Sequence, residues 1–143
     1  MTALPAARGV APFLPLVVHA PHAGTHVPAL ARETLLDSAR LRAELNRLTD
    51  WYTADLFQLP GAALCATPVS RLAVDLERYT DDALEPRAAV GQGVIYTHDT
   101  QGQRLRPELV PEQRRQWLDH WYRPWHLKLE LDVLASMQRH GTC

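Results

Sequence analysis

With 143 residues, 46% of them hydrophobic, the chain can bury one sizeable core but not two full domains. Lys and Arg total 15 against 16 Asp and Glu, so no long-range field draws it to nucleic acid or an anionic membrane, and any anion recognition must be local. Two cysteines, Cys65 and Cys143, neither in a CxxC pair, exclude a disulfide framework, and Cys65 reads as a core residue.

The opening stretch MTALPAARGVAPFLP is rich in Ala and Pro and lacks a long apolar run. Residues 1–12 therefore read as a loose lead-in to a single domain over 13–143, with no signal peptide or membrane span, and a cytoplasmic location is the expectation. Phe13 to His19 is predicted as the first strand. It ends in PHAGTHVP, where Pro21, Gly24 and Pro28 forbid a regular helix and leave histidines on an irregular loop at a strand end. From Leu30 the pattern turns helical, with Leu41, Leu45, Leu48, Tyr52 and Leu56 recurring every three or four residues and Asp37 or Ser38 placed as N-cap. Thr49 and Asp50 equally suit the cap of a second helix inside TDWYTADLF, which Pro60 and Gly61 stop.

Two short strands are predicted next, over 62–67 and 71–76. In the second, Leu72, Val74 and Leu76 alternate with Arg71, Ala73, Asp75 and Glu77, which implies one core face and one polar face. Residues 79–92 have loop composition, and a loop of that length in a compact domain is more often functional than idle. GVIYTHD is predicted as a further strand. Pro111 then opens a final helix to about Arg139, with Trp117, Trp121 and Trp125 as a core stripe, Leu127, Leu131 and Leu134 continuing it, and a kink at Pro124. Strands interleaved with helices indicate an α/β class, a mixed sheet flanked by helices. No strand follows the last helix, and an open sheet edge of that kind suits pairing with another chain, such as a homodimer.

Several residues are chemically apt. His19, His22 and His26 fall within one short stretch; a neutral imidazole on a Gly-containing turn is a good zinc ligand, although HxxHxxxH matches no strong zinc template. Asp50 reads either as a helix cap or as a carboxylate ligand. On a strand, Arg71 and Asp75 would share a face roughly 13 Å apart at about 3.3 Å per residue, with Arg78 and Arg87 extending a cationic lining. Arginine matters because its planar fork binds carboxylates bidentately; an arginine–aspartate pair on a solvated face is the plainer alternative. His126, in WYRPWH, lies where the kink can present it to a polar site. No Walker loop, dinucleotide fingerprint, GxSxG elbow or HExxH helix is present.

PHAGTHVP, TDWYTADLF, SRLAVDLER and WYRPWHLKLE, in that order and at these separations, resemble the N-formylglutamate amidohydrolase family over nearly the whole chain. The resemblance implies a fold similar to the zinc carboxypeptidases, shortened at the C-terminus. It implies hydrolysis, assisted by zinc or another divalent metal, of the amide of N-formyl-L-glutamate, or a related small-molecule N-acyl amino acid, in histidine degradation. His22 and Asp50 would be metal ligands. Arg71 and Arg78 would bind substrate carboxylates, with Asp75 holding an arginine in place. The motifs identify no general base. The family pattern also differs from this chain in places: DLNR is usual where Asp75-Leu76-Glu77-Arg78 stands, and a histidine often occupies the position of Tyr52. Family members continue past the long helix into a strand that supplies another metal ligand. A non-catalytic relative that binds a small dicarboxylate or pairs with another chain is the alternative reading.

Overall fold

The computed structural model describes residues 14–35 and 37–141, so the expected lead-in, Phe13 and Cys143 lie outside the described residues. Strand β1, Val17–Ala20, and strand β2, Ala63–Ala66, form a parallel pair in the register Val17 to Ala63 through Ala20 to Ala66. Among the described residues this is the whole sheet, so the mixed sheet expected from the sequence is replaced by two parallel strands. A parallel pair requires a crossover, which three helices supply: α1 (Ala29–Glu33), α2 (Ser38–Leu48) and α3 (Thr53–Leu56).

Asp37 is the cap of α2, its Oδ1 accepting from the Ala39 N–H at 2.9 Å and the Arg40 N–H at 3.4 Å. These backbone donors, then Arg40, hold its carboxyl below the usual range. Leu41 and Leu45 pack on both hydrophobic clusters of the molecule, and Leu48 on one. Tyr52 and Leu56 do not continue this stripe. Thr49 ends the helix in an extended conformation, Tyr52 takes a left-handed φ of 65°, and both Tyr52 and Leu56 stand in solvent.

Residues 71–76 are not a strand. They run through consecutive turns, with Ala73 N–H bonded to Ser70 O at 2.9 Å and Arg78 N–H to Asp75 O at 3.4 Å, and Leu72 to Leu76 are all buried. Alternation here marks a chain wrapped round a buried carboxylate, with both sides covered. The GVIYTHD segment is likewise irregular: Val94, Ile95 and Tyr96 are buried in succession, and ladder pairing is limited to one antiparallel bridge between His98 and Arg104. A 3₁₀ turn, Pro86–Val90, breaks the long loop, and Gly91 closes it at φ 72°.

Pro111 opens α4 (Pro111–Trp117), which passes through a π-helical turn, Leu118–Tyr122, into α5 (Arg123–His140). Pro124 cannot donate to the His120 carbonyl, and the π turn just before it, where Arg123 N–H reaches back five residues to Leu118 O, takes the place of the expected simple kink. Trp117 is buried, and Trp121 and Trp125 pack against the larger core cluster with Val74, Leu76 and Val94. The wider turn also rotates the following helix by about 100° per inserted residue. Leu127, Leu131 and Leu134, expected inside, stand about half-exposed with Met137, and Ser136 is buried instead. Helix α5 packs on both strands. Among the described residues no helix is long and apolar enough to cross a membrane.

Candidate active site

The parallel pairing of β1 and β2 persists beyond the sheet and brings two loops together. The His26 N–H donates to Pro68 O at 3.0 Å, and the Ser70 N–H to His26 O at 2.8 Å. Gly24 permits the approach, since a Cβ there would lie 2.4 Å from the Pro68 carbonyl carbon and 2.6 Å from Thr67 O, both backbone. The loop after β1 thus sets His22 against the turns that carry Asp75.

His22 is 6% exposed, and its Nε2 lies 2.8 Å from Asp75 Oδ1. Asp75 is 0% exposed and is the hub of the site. Its Oδ2 accepts from Arg71 Nε at 3.1 Å, Arg71 Nη2 at 2.7 Å and Tyr96 Oη at 2.8 Å, while its Oδ1 also accepts the Glu77 N–H at 3.1 Å. Burial alone would raise its pKa, but the His22 ring and the Arg71 guanidinium hold it well below the usual carboxylate range. An ionised Asp75 only accepts, so His22 Nε2 carries a hydrogen and donates to it.

The other ring nitrogen, Nδ1, faces two carboxylates, Asp50 Oδ2 at 3.6 Å and Glu77 Oε2 at 3.7 Å. Asp50 is placed through its backbone: its N–H donates to His22 O at 3.0 Å, and its carbonyl takes the Thr53 hydroxyl at 2.6 Å. Helix α3 has no side-chain cap, so the Asp50 carboxylate is not engaged as one. Among the described residues no group of three His, Cys, Asp or Glu side chains is placed to hold a metal ion. The donor chemistry nevertheless fits a divalent cation: an imidazole nitrogen whose other ring N–H is bound to a buried carboxylate is the usual support of a metal-ligating histidine.

Arg71 and Asp75, expected about 13 Å apart, are in direct contact because the chain turns between them. Arg78 lies between carboxylates, Nε 3.4 Å from Asp75 Oδ2 and Nη1 3.5 Å from Glu85 Oε1. Arg87 is outside this group and pairs with Gln92. His26 contributes backbone bonds, and His98 Nδ1 pairs with the Thr97 hydroxyl. His19 accepts from Trp125 Nε1 at 3.1 Å, and burial lowers its pKa. His126 Nε2 donates to Leu76 O at 2.9 Å, and Tyr122 Oη to Arg78 O at 2.9 Å. The residues around Pro124 therefore clamp the carbonyls on either side of Glu77. Cys65 is fully buried at the centre of β2, as read from the sequence.

The sequence model of N-formylglutamate amidohydrolase matches residues 14–143. The chain belongs to this family. It is 34% identical over 132 residues to the N-formylglutamate deformylase of Pseudomonas putida, covering 86% of this chain and 47% of that protein. Its fold superposes on the crystal structure of N-formylglutamate amidohydrolase from Ralstonia eutropha JMP134 with a TM-score of 0.78 at 25% identity, covering 94% of this chain and 52% of that one. The chain thus spans about half the length of the relatives it matches.

Sequence reasoning picked out His22, Asp50, Arg71, Asp75 and Arg78, and the fold gathers all five. Glu77, read there as a polar-face residue and as a departure from the family's DLNR pattern, and Tyr96, read as a strand residue, are not among the five. The available signal was that Glu77 lies two residues from Asp75, within the same motif as both arginines.

Proposed function

We propose that this chain carries the metal-binding and carboxylate-binding parts of a zinc-dependent amide hydrolase acting on N-formyl-L-glutamate or a related N-acyl amino acid. The observation that supports it most is His22, held through Nε2 by buried Asp75 with its Nδ1 turned to Asp50. His22 and Asp50 would hold the cation. When bound, zinc supplies Lewis-acid polarisation of an amide carbonyl and a water of lowered pKa.

The charge balance supports a cation too. Among the described residues, Asp50, Asp75, Glu77 and Glu85 surround two guanidiniums, Arg71 and Arg78. This cluster, formally two negative charges in excess, repels a dicarboxylate unless a divalent cation offsets it. Arg71 and Arg78 are partly exposed and would take the substrate carboxylates, while Asp75 fixes the Arg71 fork and the His22 tautomer together. The family relationship favours a zinc carboxypeptidase-like architecture, a role in histidine degradation and a cytoplasmic setting. The direct test is formate release from N-formyl-L-glutamate by the purified chain supplied with zinc; turnover that His22→Ala abolishes supports the reading, and none with zinc bound contradicts it.

A second reading is favoured by the exposed stripe Leu127, Leu131, Leu134 and Met137 on α5: a non-catalytic relative that pairs with another chain, or with a second copy. Light scattering behind size exclusion tests the self-pairing form, which predicts a dimer that Leu131→Lys dissociates; a strict monomer contradicts it.

A further inference from the structure

We infer that the site selects a ligand with a single carboxylate: Arg78 takes the α-carboxylate of an N-acyl amino acid, and Glu77 disfavours a second carboxylate on the ligand's side chain. This rests on the proposed carboxylate-binding role of the two arginines and narrows the substrate class to N-acyl amino acids with a neutral side chain.

The two guanidiniums are unequal. Arg71 gives Nε and Nη2 to Asp75 Oδ2 at 3.1 and 2.7 Å, and its guanidinium lies 5.9 Å from the centre of the Tyr96 ring. One edge of its fork is thus committed inside the protein. Arg78 has no such commitment. Its Nε is buried without a hydrogen-bond partner among the described residues. Its charged contacts, 3.4 Å to Asp75 and 3.5 Å to Glu85, are longer than the about 2.7–3.2 Å of an N–H···O bond. Both of those carboxylates are occupied from elsewhere, Asp75 Oδ2 by Arg71 and Tyr96, and Glu85 by the N–H groups of Tyr79 and Arg87 at 3.2 and 2.9 Å. A guanidinium 24% exposed, with donors unmet by the protein, is completed by the carboxylate of a ligand.

Glu77 brings the opposite charge to the same site. Its N–H is bonded to Asp75 Oδ1 at 3.1 Å, and the carbonyls of Leu76 and Arg78 on either side take His126 Nε2 and Tyr122 Oη, each at 2.9 Å. From this fixed backbone the side chain reaches out half-exposed, and among the described residues its carboxylate meets no Lys or Arg; its charged neighbour is His22 Nδ1 at 3.7 Å. The charge balance does not hinge on the imidazole. Asp50, Asp75, Glu77 and Glu85 outnumber Arg71 and Arg78 by two charges, and a protonated His22 still leaves one in excess. A first carboxylate is held by Arg78, whereas a second meets Glu77 with only the outer edge of Arg71 to receive it. Like charges about 6–8 Å apart cost roughly 3–30-fold in affinity between the water and protein limits of screening.

The test is calorimetric titration of the full chain, supplied with zinc, with N-methylsulfonyl-L-glutamate and N-methylsulfonyl-L-glutamine, which match in size, differ by one charge and resist hydrolysis. Wild type, Glu77→Gln, Glu77→Asp and Arg78→Ala are compared, with thermal melts to confirm folding. Wild type is expected to bind the glutamine derivative about 10-fold more tightly than the glutamate derivative. Glu77→Gln removes that preference by strengthening the glutamate derivative alone, Glu77→Asp keeps it, and Arg78→Ala loses both ligands. The inference is overturned if wild type binds the glutamate derivative as tightly as the glutamine one, if the ratio is unmoved in folded Glu77→Gln, or if folded Arg78→Ala binds as wild type does. Binding of either derivative in those cases leaves the carboxylate-binding reading standing; if neither binds to the wild type, both fall.

Discussion

His22 and Asp75 are bonded, Nε2 to Oδ1 at 2.8 Å, across 53 positions of sequence and entirely inside the protein. One carboxylate there sets the imidazole tautomer, receives two nitrogens of Arg71 and takes the Tyr96 hydroxyl. Asp75 therefore ties an imidazole, a guanidinium and a phenol to one buried group.

Asp75→Asn keeps the size of the side chain but puts an NH₂ where acceptors are needed and leaves the Arg71 cation without its partner. Breaking a buried pair from one side costs about 3–5 kcal/mol, and the slight exposure of Arg71 sets the expectation at the lower end. Urea unfolding of the variant should show a lower midpoint with an unchanged slope.

The same group gives a pH dependence. The folded protein holds Asp75 well below its ordinary value of 3.8, so the unfolded chain binds the proton more readily. The stabilisation is complete above the unfolded pKa and is lost as pH falls below about 4. Unfolding midpoints measured from pH 7 down to pH 3 should drop at the acid end, and Asp75→Asn should flatten that drop.

Gly24→Ala probes how the two loops meet. The added carbon has no room beside the backbone of Thr67 and Pro68, and backbone cannot swing away as a side chain can. A loss of about 1–3 kcal/mol or more is expected from such overpacking. The loop that carries His22 must shift, so zinc affinity should fall together with thermal stability.

Arg106 is a buried cation with little to hold it. Its Nη2 donates to Leu72 O at 2.7 Å and its guanidinium lies over Trp117 at 5.3 Å, but Nε and Nη1 have no partner among the described residues. Burial lowers its pKa to about 10. Replacing a poorly satisfied buried charge by an apolar side chain of similar length is often neutral or stabilising, whereas leaving a cavity costs about 2–5 kcal/mol. Arg106→Met should therefore melt at or above the wild-type temperature and Arg106→Ala well below it.

What could be read from the sequence follows from how local the cause was. The Asp37 cap, Pro111 at a helix start and the strand expected over 62–67 each rest on neighbouring residues, and each is found, the strand as Ala63–Ala66. The segment 71–78 was misread because Leu72, Val74 and Leu76 carry a strand's alternation, while its conformation is set by a buried carboxylate bonded to residues as distant as His22 and Tyr96. Leu127, Leu131 and Leu134 were placed inward on an uninterrupted 3.6-residue period, which the π turn before Pro124 puts out of phase. Motif resemblance singled out His22, Asp50, Arg71, Asp75 and Arg78, which the fold brings together, despite these errors, because it does not depend on the secondary structure between them.

The central claim is that His22 presents a metal-ligating nitrogen, and zinc content per chain after purification without chelator, wild type against His22→Ala, tests it most directly. Near-stoichiometric zinc in the wild type and almost none in a variant that melts as a folded protein is the predicted result. Equal zinc in the two, or none in the wild type even after incubation with zinc, would contradict it.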